Sequence, residues 1–393
     1  MNTLKFGNGE WYGKKDTILA YNDENSNFKP LPFSFDRASS ATRVNKDGLI
    51  ETVGSGEPRI DYKDDSNGAL LLEPTRTNLI TYSEDFTHPN WNKESGVIIT
   101  PNYGISPDGT QNSTRLQLNS INKSIYFVTG LGYASLFSIY IKGTKGEVIR
   151  VSNTGGTLHT FTGEWDRVEC YDSGGTSPNV SVNSYGGSTT ALDMEIWGAQ
   201  LEAGSYATSY IPTQGAIAGV TRVAETCSGA GNEQVFNDSE GVLFAEISAL
   251  ANDLNIEGIS VSDGSSSNRV VIFKWNISNT IRARVTSGGV NTFDFYVSVS
   301  DITNINKIAL KYKQNDFALW INGIEVATDF IGAAPIGLSK LNFDSDGIGS
   351  APLYGNTKQI QYFDTALNDS DLETLTSWDS FSDMANGQLY TIE

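Results

Sequence analysis

The residues of this chain that could do chemistry are few, and their spacing argues against catalysis. It has two histidines, His88 and His159, each in a separate turn-like context. Neither a zinc set nor a Ser–His–Asp arrangement is suggested by such isolated imidazoles. Cys170 and Cys227 sit far apart in sequence and make neither a disulfide framework nor a metal knuckle. No Walker loop, nucleophile elbow or dinucleotide fingerprint is present. Glycoside hydrolysis needs only two suitably separated carboxylates, and the chain holds 46 acidic residues. Alternation puts Asp193 and Glu195 on one face of a strand, but a solvated acidic strand face explains that pair more simply. The expectation is a protein that is not an enzyme.

Binding chemistry is better represented. Sugar rings stack on exposed aromatic faces, and three residues on patterned strands are candidates for this: Trp320, Trp275 and Tyr296. Trp320 alternates with Leu319 and Ile321, so it faces outward if those two face the core. The competing role for each is packing or a subunit interface, where tryptophan usually sits. Asp344-Ser345-Asp346-Gly347 opens like a calcium loop, making Asp344 and Asp346 the candidate metal ligands, but Ile348 stands where a third carboxylate is needed. No other cofactor is expected. Arg37, Arg43, Arg59 and Arg76 fall close together in a chain poor in arginine. Their guanidinium forks suit bidentate bonds to carboxylates or carbonyls that fix an N-terminal arm against the sandwich or a neighbouring subunit, ordinary surface arginine being the competing role.

The elements that must position these residues are strands. With 39 glycines, 38% hydrophobic and 11% aromatic residues, the 393-residue chain reads as an all-β protein of many short strands joined by turns. Residues 1–77 form an extended arm whose apolar content is thin, expected to pack on a later domain or on another protein. Residues 78–213 form a jelly-roll β-sandwich. There Phe137, Ile139 and Ile141 share one face of a half-buried strand, and Trp91, Trp165 and Trp197 are assigned to the core. Residues 214–238, rich in Gly, Ala, Thr and Ser, read as a linker with one short strand. A second β-sandwich spans 239–380, with the alternating Phe293, Phe295, Val297 and Val299. Its clearest hairpin turns at Asn322-Gly323, the favoured type I′ dipeptide. One N-capped helix is predicted at Asn368–Leu375, and 381–393 form a C-terminal tail.

The charge balance is 27 basic against 46 acidic residues, a net of −19. Nucleic acid and anionic membranes would be repelled by such a surface, so neither is expected as a partner. No apolar run approaches the roughly 20 residues needed to cross a bilayer. The sequence from Met1 to Gly7 lacks the pattern of a secretory signal. Synthesis in a reducing cytoplasm is therefore expected.

Three segments carry a family resemblance. Phe33-Ser34-Phe35-Asp36-Arg37-Ala38-Ser39-Ser40-Ala41-Thr42-Arg43-Val44, with Gly48-Leu49-Ile50-Glu51 after it, resembles the opening of bacteriophage tail-fibre and head-fibre proteins. Pro58–Tyr62 and Gly68–Leu79 continue the likeness in the same order. The third, Trp197-Gly198-Ala199-Gln200-Leu201-Glu202-Ala203-Gly204 through Ser209-Tyr210-Ile211-Pro212-Thr213, is similar to the segment that closes the jelly-roll domain of those proteins. The second half is similar, more loosely, to concanavalin-A-like and laminin-G-like sandwiches. The resemblance implies a virion structural appendage, made in the host bacterial cytoplasm and anchored to other virion proteins by its N-terminal arm. It further implies attachment to host-surface glycan or protein through the distal sandwich. A homotrimer is expected, because weak sugar contacts gain avidity from repeated copies. The rival readings are a purely structural collar or capsid-decorating protein and a capsule depolymerase.

Overall fold

The computed structural model describes residues 3–7, 10–24, 27–130, 133–153, 156–174 and 179–390. The fold is all-β. Among the described residues the only helices are two short ones, Asp369–Thr376 and Phe381–Gly387. The first is N-capped by Asn368, whose side chain accepts the Asp371 amide, as the sequence predicts.

The chain divides into two compact units, each assembled from separate stretches. One comprises Met1–Ala38, Val53–Pro74 and Ala224–Glu393; the other comprises Ser39–Thr52 and Thr75–Val223.

In the unit centred on Thr75–Val223, two five-stranded antiparallel sheets face one another. One runs in the order Trp91–Lys93, Ser124–Val128, Asn179–Asn183, Val148–Asn153, Thr157–Thr160. The other runs Val97–Thr100, Thr114–Leu118, Leu192–Ala203, Ser135–Gly143, Asp166–Asp172. Phe137, Ile139 and Ile141 all point into the shared core, where they meet Ile125, Val151 and Val180 from the opposite sheet. Trp91 joins that core, but Trp197 does not. A bulge shifts the register of Leu192–Ala203 on Ser135–Gly143 at Ser138 and Tyr140, and Gly198 adopts φ +62° within it. Trp197 follows the inward-facing Ile196 and so points outward by alternation, and the extra residue after it returns Ala199 and Leu201 to the core. On that outer side Trp197 packs with Tyr210 and Ile50 in a small second cluster, against which half-buried Trp165 also rests. The prediction of all three tryptophans in one core is corrected accordingly.

The other unit pairs a ten-stranded sheet with a five-stranded one. The five-stranded sheet runs Val290–Ser298, Thr280–Ser287, Arg269–Lys274, Glu257–Ser262, Lys340–Asn342. The middle of the ten-stranded sheet is Asn306–Lys313, Glu240–Ala249, Gly355–Phe363 and then Thr3–Phe6. Ile259, Val261, Ile272, Ala283 and Phe293 from the smaller sheet pack on Leu243, Ala245, Leu310 and Leu319 from the larger. The Asn322-Gly323 turn has positive φ at both residues, 51° and 82°, as a type I′ hairpin requires.

Three boundaries differ from the sequence expectation. The predicted arm does pack on a later part of the chain, one of its two expected partners, but as strands of its sheet: Thr3–Phe6 pairs antiparallel with Gly355–Phe363, as does Ala69–Leu72. Leu4, Phe6, Leu70 and Leu72 are each at most 1% exposed. Burying one such side chain contributes roughly 1.5–3 kcal/mol, enough to draw the N-terminal strand into the sheet. The predicted linker also supplies core. Thr226–Ser228 pairs with Phe33–Asp36, and Cys227, Ala230 and Phe236 are buried. Its small residues mark close approach: a Cβ at Gly231 would lie 2.4 Å from the Phe236 ring. Finally, the predicted tail contains the helix Phe381–Gly387, capped by Ser380, while 391–393 lie outside the described residues.

Candidate functional site

Two of the three aromatic candidates come together on the outer face of the five-stranded sheet. Strand alternation sends Val270, Ile272, Ile281, Ala283, Val285 and Phe293 into the core. The alternate residues must then line the opposite face. Register aligns Phe273, Arg282 and Tyr296 in one row across three strands, and Val271, Arg284 and Asp294 in the next. Trp275 follows directly beyond Arg269–Lys274, held by its amide donating to the Thr280 carbonyl at 2.9 Å.

The result is a built platform. The Arg282 guanidinium carbon lies 4.1 Å from the Trp275 ring centre and 4.5 Å from that of Tyr296. The two rings are 5.7 Å apart and inclined at 75°. Arg282 is pinned from its edge by Asp294, donating Nε to Oδ1 at 2.7 Å and Nη2 to Oδ2 at 2.6 Å. A guanidinium clamped bidentately and flanked by rings loses most of its freedom. Tyr296 stays 49% exposed and Trp275 half-buried, so an aromatic surface faces solvent on a rigid polar support.

The neighbouring rows carry two further arginines, buried Arg269 and half-buried Arg284. Arg269 and Arg284 both lie 5.8 Å from the Phe273 ring centre. Arg269 donates Nη1 to the Ser345 carbonyl at 2.7 Å, and burial lowers its pKa against the opposing pull of Asp346. Ser260 Oγ, Asn342 Nδ2 and Arg269 Nε are buried there without a hydrogen-bond partner. On the opposite, core-side face of the sheet, in line with Ile272 and Ile259, Lys274 forms an ion pair with Asp253 and lies 3.6 Å from Glu257 Oε1. Burial pushes the Glu257 carboxyl up to about 7, against Lys274.

The remaining candidates are placed differently. Trp320 does point away from Leu319 and Ile321, but that face is covered. It packs with Val242, Phe244 and Phe363 beneath Leu372 of the helix Asp369–Thr376, and is 7% exposed. No sugar ring reaches it there. Asp344 and Asp346 are adjacent but occupied. Asp344 accepts the amides of Asp346 and Gly349 at 3.0 Å and also that of Gly347; Asp346 accepts those of Ile348 and Ser350 at 3.2 Å. Their carboxylates fold the loop rather than face a cavity. No group of three or more potential acidic, histidine or cysteine metal ligands occurs among the described residues.

The arginines divide in two pairs. Arg37 and Arg59, both 0% exposed, converge on Glu225. Arg37 Nη1 and Arg59 Nε donate to Glu225 Oε1 at 2.7 and 2.8 Å, and Arg59 Nη2 donates to Oε2. Arg59 Nη1 reaches Glu73 Oε2 at 2.6 Å, and the Glu73 amide donates back to Glu225 at 2.9 Å. Burial lowers the pKa of Arg37 despite Glu225. Burial also opposes the charge of Arg59, but Glu225 and Glu73 outweigh it and raise its pKa. In the other unit Arg43 pairs with Glu51 at 2.7 Å on a partly exposed surface, and Arg76 lies 5.1 Å from the Tyr206 ring.

The family-like segments around Asn78 and Trp197 lock onto each other inside that unit. Asn78 donates Nδ2 to the carbonyls of Ala199 (3.1 Å) and Ile211 (2.8 Å) and accepts the Leu201 amide at 3.1 Å. Gln200 accepts the Ile211 amide at 2.6 Å, and Glu202 accepts the Thr208 amide at 3.1 Å.

Sequence reasoning missed Arg282, Arg284 and Asp294. The signal was there: in Thr280–Ser287 the two arginines alternate with Ile281, Ala283 and Val285, marking a strand with one charged face.

No family model matches the sequence, and no curated protein matches it. Solved structures give partial likenesses. The CBM40 domain of the Ruminococcus gnavus IT-sialidase, bound to α2,3 sialyllactose, is 16% identical with a TM-score of 0.33, covering 38% of this chain and 94% of that one. A leech intramolecular trans-sialidase is 18% identical with a TM-score of 0.32, covering 39% of this chain and 27% of that one. Domain 4 of an extracellular arabinanase from Geobacillus stearothermophilus, in complex with arabinotriose, is 12% identical with a TM-score of 0.28, covering 39% and 73%.

Proposed function

We propose that this chain is a glycan-binding structural protein of a bacteriophage particle, a tail- or head-fibre component that attaches to the host surface and does no catalysis. The binding half of this reading rests on one observation, the Trp275–Arg282–Tyr296 platform. An exposed ring on an immobilised support offers a sugar a stacking surface with little ordering cost. The phage half rests on the resemblance of Phe33–Leu79 and Trp197–Thr213, and places the protein in the virion among other virion proteins, as a homotrimer. The buried bonds of Arg37, Arg59 and Asn78 give those segments a scaffolding role. That also favours the second reading, a purely structural particle component. No helix among the described residues is long and apolar enough to cross a membrane.

A glycan array probed with the wild-type protein and with Tyr296→Ala separates the readings. Binding to discrete glycans that weakens in the variant supports adhesion through this face. Equal binding by both proteins moves the site elsewhere. Absence of binding, together with normal incorporation into particles, favours the purely structural reading.

A further inference from the structure

The sheet face that carries the platform concentrates arginine in a chain of net charge −19, and the arrangement of its counter-charges says which sugars it accepts. Arg269, Arg282, Arg284 and Lys340 share the face with Asp294, and Asp344 and Asp346 lie in the loop beside it, so most of its positive charge is balanced from within the protein. Asp294 is the centre of that balance. It takes both edge donors of Arg282, lies 3.3 Å from Arg284 Nε, and accepts from Asn291 Nδ2 at 3.3 Å. An arginine fork recognises a carboxylate or sulfate by presenting two parallel N–H donors. On Arg282 that fork is already filled from within the protein.

We propose that Asp294 sets the charge preference of this face: as a built-in carboxylate it pairs with both Arg282 and Arg284 and offsets one of their two positive charges, so the platform favours neutral sugar rings over carboxylated or sulfated ones. This rests on the proposed glycan-binding role and deepens it. An acidic glycan approaching the platform meets the Asp294 carboxylate, an Nε–Nη2 edge of Arg282 that is already occupied, and the negative field of the whole molecule. A neutral ring gives up nothing to that field and keeps the stacking surface of Trp275 and Tyr296. Removing the Asp294 charge leaves two guanidinium groups on the face without their partner, and an acidic sugar is then the natural replacement.

The test is an array carrying neutral oligosaccharides beside their uronic-acid-bearing, sialylated and sulfated counterparts, probed at low and high salt with the wild type and Asp294→Asn. The wild type is expected to bind neutral glycans with little salt dependence. Asp294→Asn is expected to raise the ratio of acidic to neutral binding by roughly tenfold or more, with the gain lost at high salt. Asp294→Ser makes the same charge change without adding an amide to bury, and serves if Asp294→Asn fails to fold by thermal melting. A wild type that prefers acidic glycans, or a ratio unchanged in a folded variant, overturns the assignment while leaving glycan binding intact. No binding by wild type or folded variant overturns the glycan-binding role itself, and this inference with it.

Discussion

Two arginine clusters in the same unit use the same chemistry to opposite ends. Around Glu225, Arg37 and Arg59 are sealed from solvent and joined to carboxylates from distant parts of the sequence. Around Asp294, Arg282 and Arg284 are also paired, but their neighbours are rings, one of them open to solvent. The first cluster has no accessible surface to offer a ligand. The second holds its guanidinium rigid at the surface, where rigidity is useful to a binding site. The difference is not in the ion pairs but in what covers them.

That contrast is easiest to break at Glu225. Glu225→Gln leaves two buried guanidinium groups without their shared counter-charge, and such a loss costs about 3–5 kcal/mol. Urea unfolding should show it as a large fall in midpoint for the unit containing Glu225. A change below about 1 kcal/mol is the size expected of a surface pair and would mean the cluster is hydrated.

A third charged group, on the opposite face of the same sheet, sharpens the comparison through pH. The Glu257 carboxyl is raised to about 7 in the folded protein, by burial first, against an ordinary value near 4.3 when unfolded. The folded state therefore binds more protons than the unfolded state between those values. Stability falls as pH rises from roughly 4.3 to 7, by on the order of 3 kcal/mol. Denaturant midpoints across that range should decline in the wild type, and Glu257→Gln should remove this component. Parallel profiles for the two proteins would show that Glu257 ionises normally.

Smaller effects are expected where solvent screens the groups. Trp275→Ala or Tyr296→Ala should weaken the affinity for an array-positive glycan about tenfold, equal to about 1.4 kcal/mol. Both variants should melt close to the wild type. Arg43→Ala, breaking a partly exposed pair with Glu51, should cost no more than about 1 kcal/mol, again by urea titration.

Local patterns were legible in the sequence. The face shared by Phe137, Ile139 and Ile141, the Asn322-Gly323 turn and the Asn368 cap each depend on a few adjacent residues, and each is present. Long-range pairing was not legible. Nothing in Thr3–Phe6 indicates that its partner is Gly355–Phe363, so a core strand reads as part of an arm. The site was half legible for the same reason. Alternation placed Trp275 and Tyr296 on patterned strands, but only strand register brings Arg282 between them. Trp320 obeyed its alternation and was still misassigned, because a helix later in the chain covers the face it points to.

The most direct test of the binding face is a crystal structure of the protein soaked with its strongest array-positive oligosaccharide. A sugar ring stacked on Tyr296 and Trp275, within van der Waals contact of the platform, is the expected result. A ring bound on any other surface, with Tyr296 and Trp275 untouched, would contradict it.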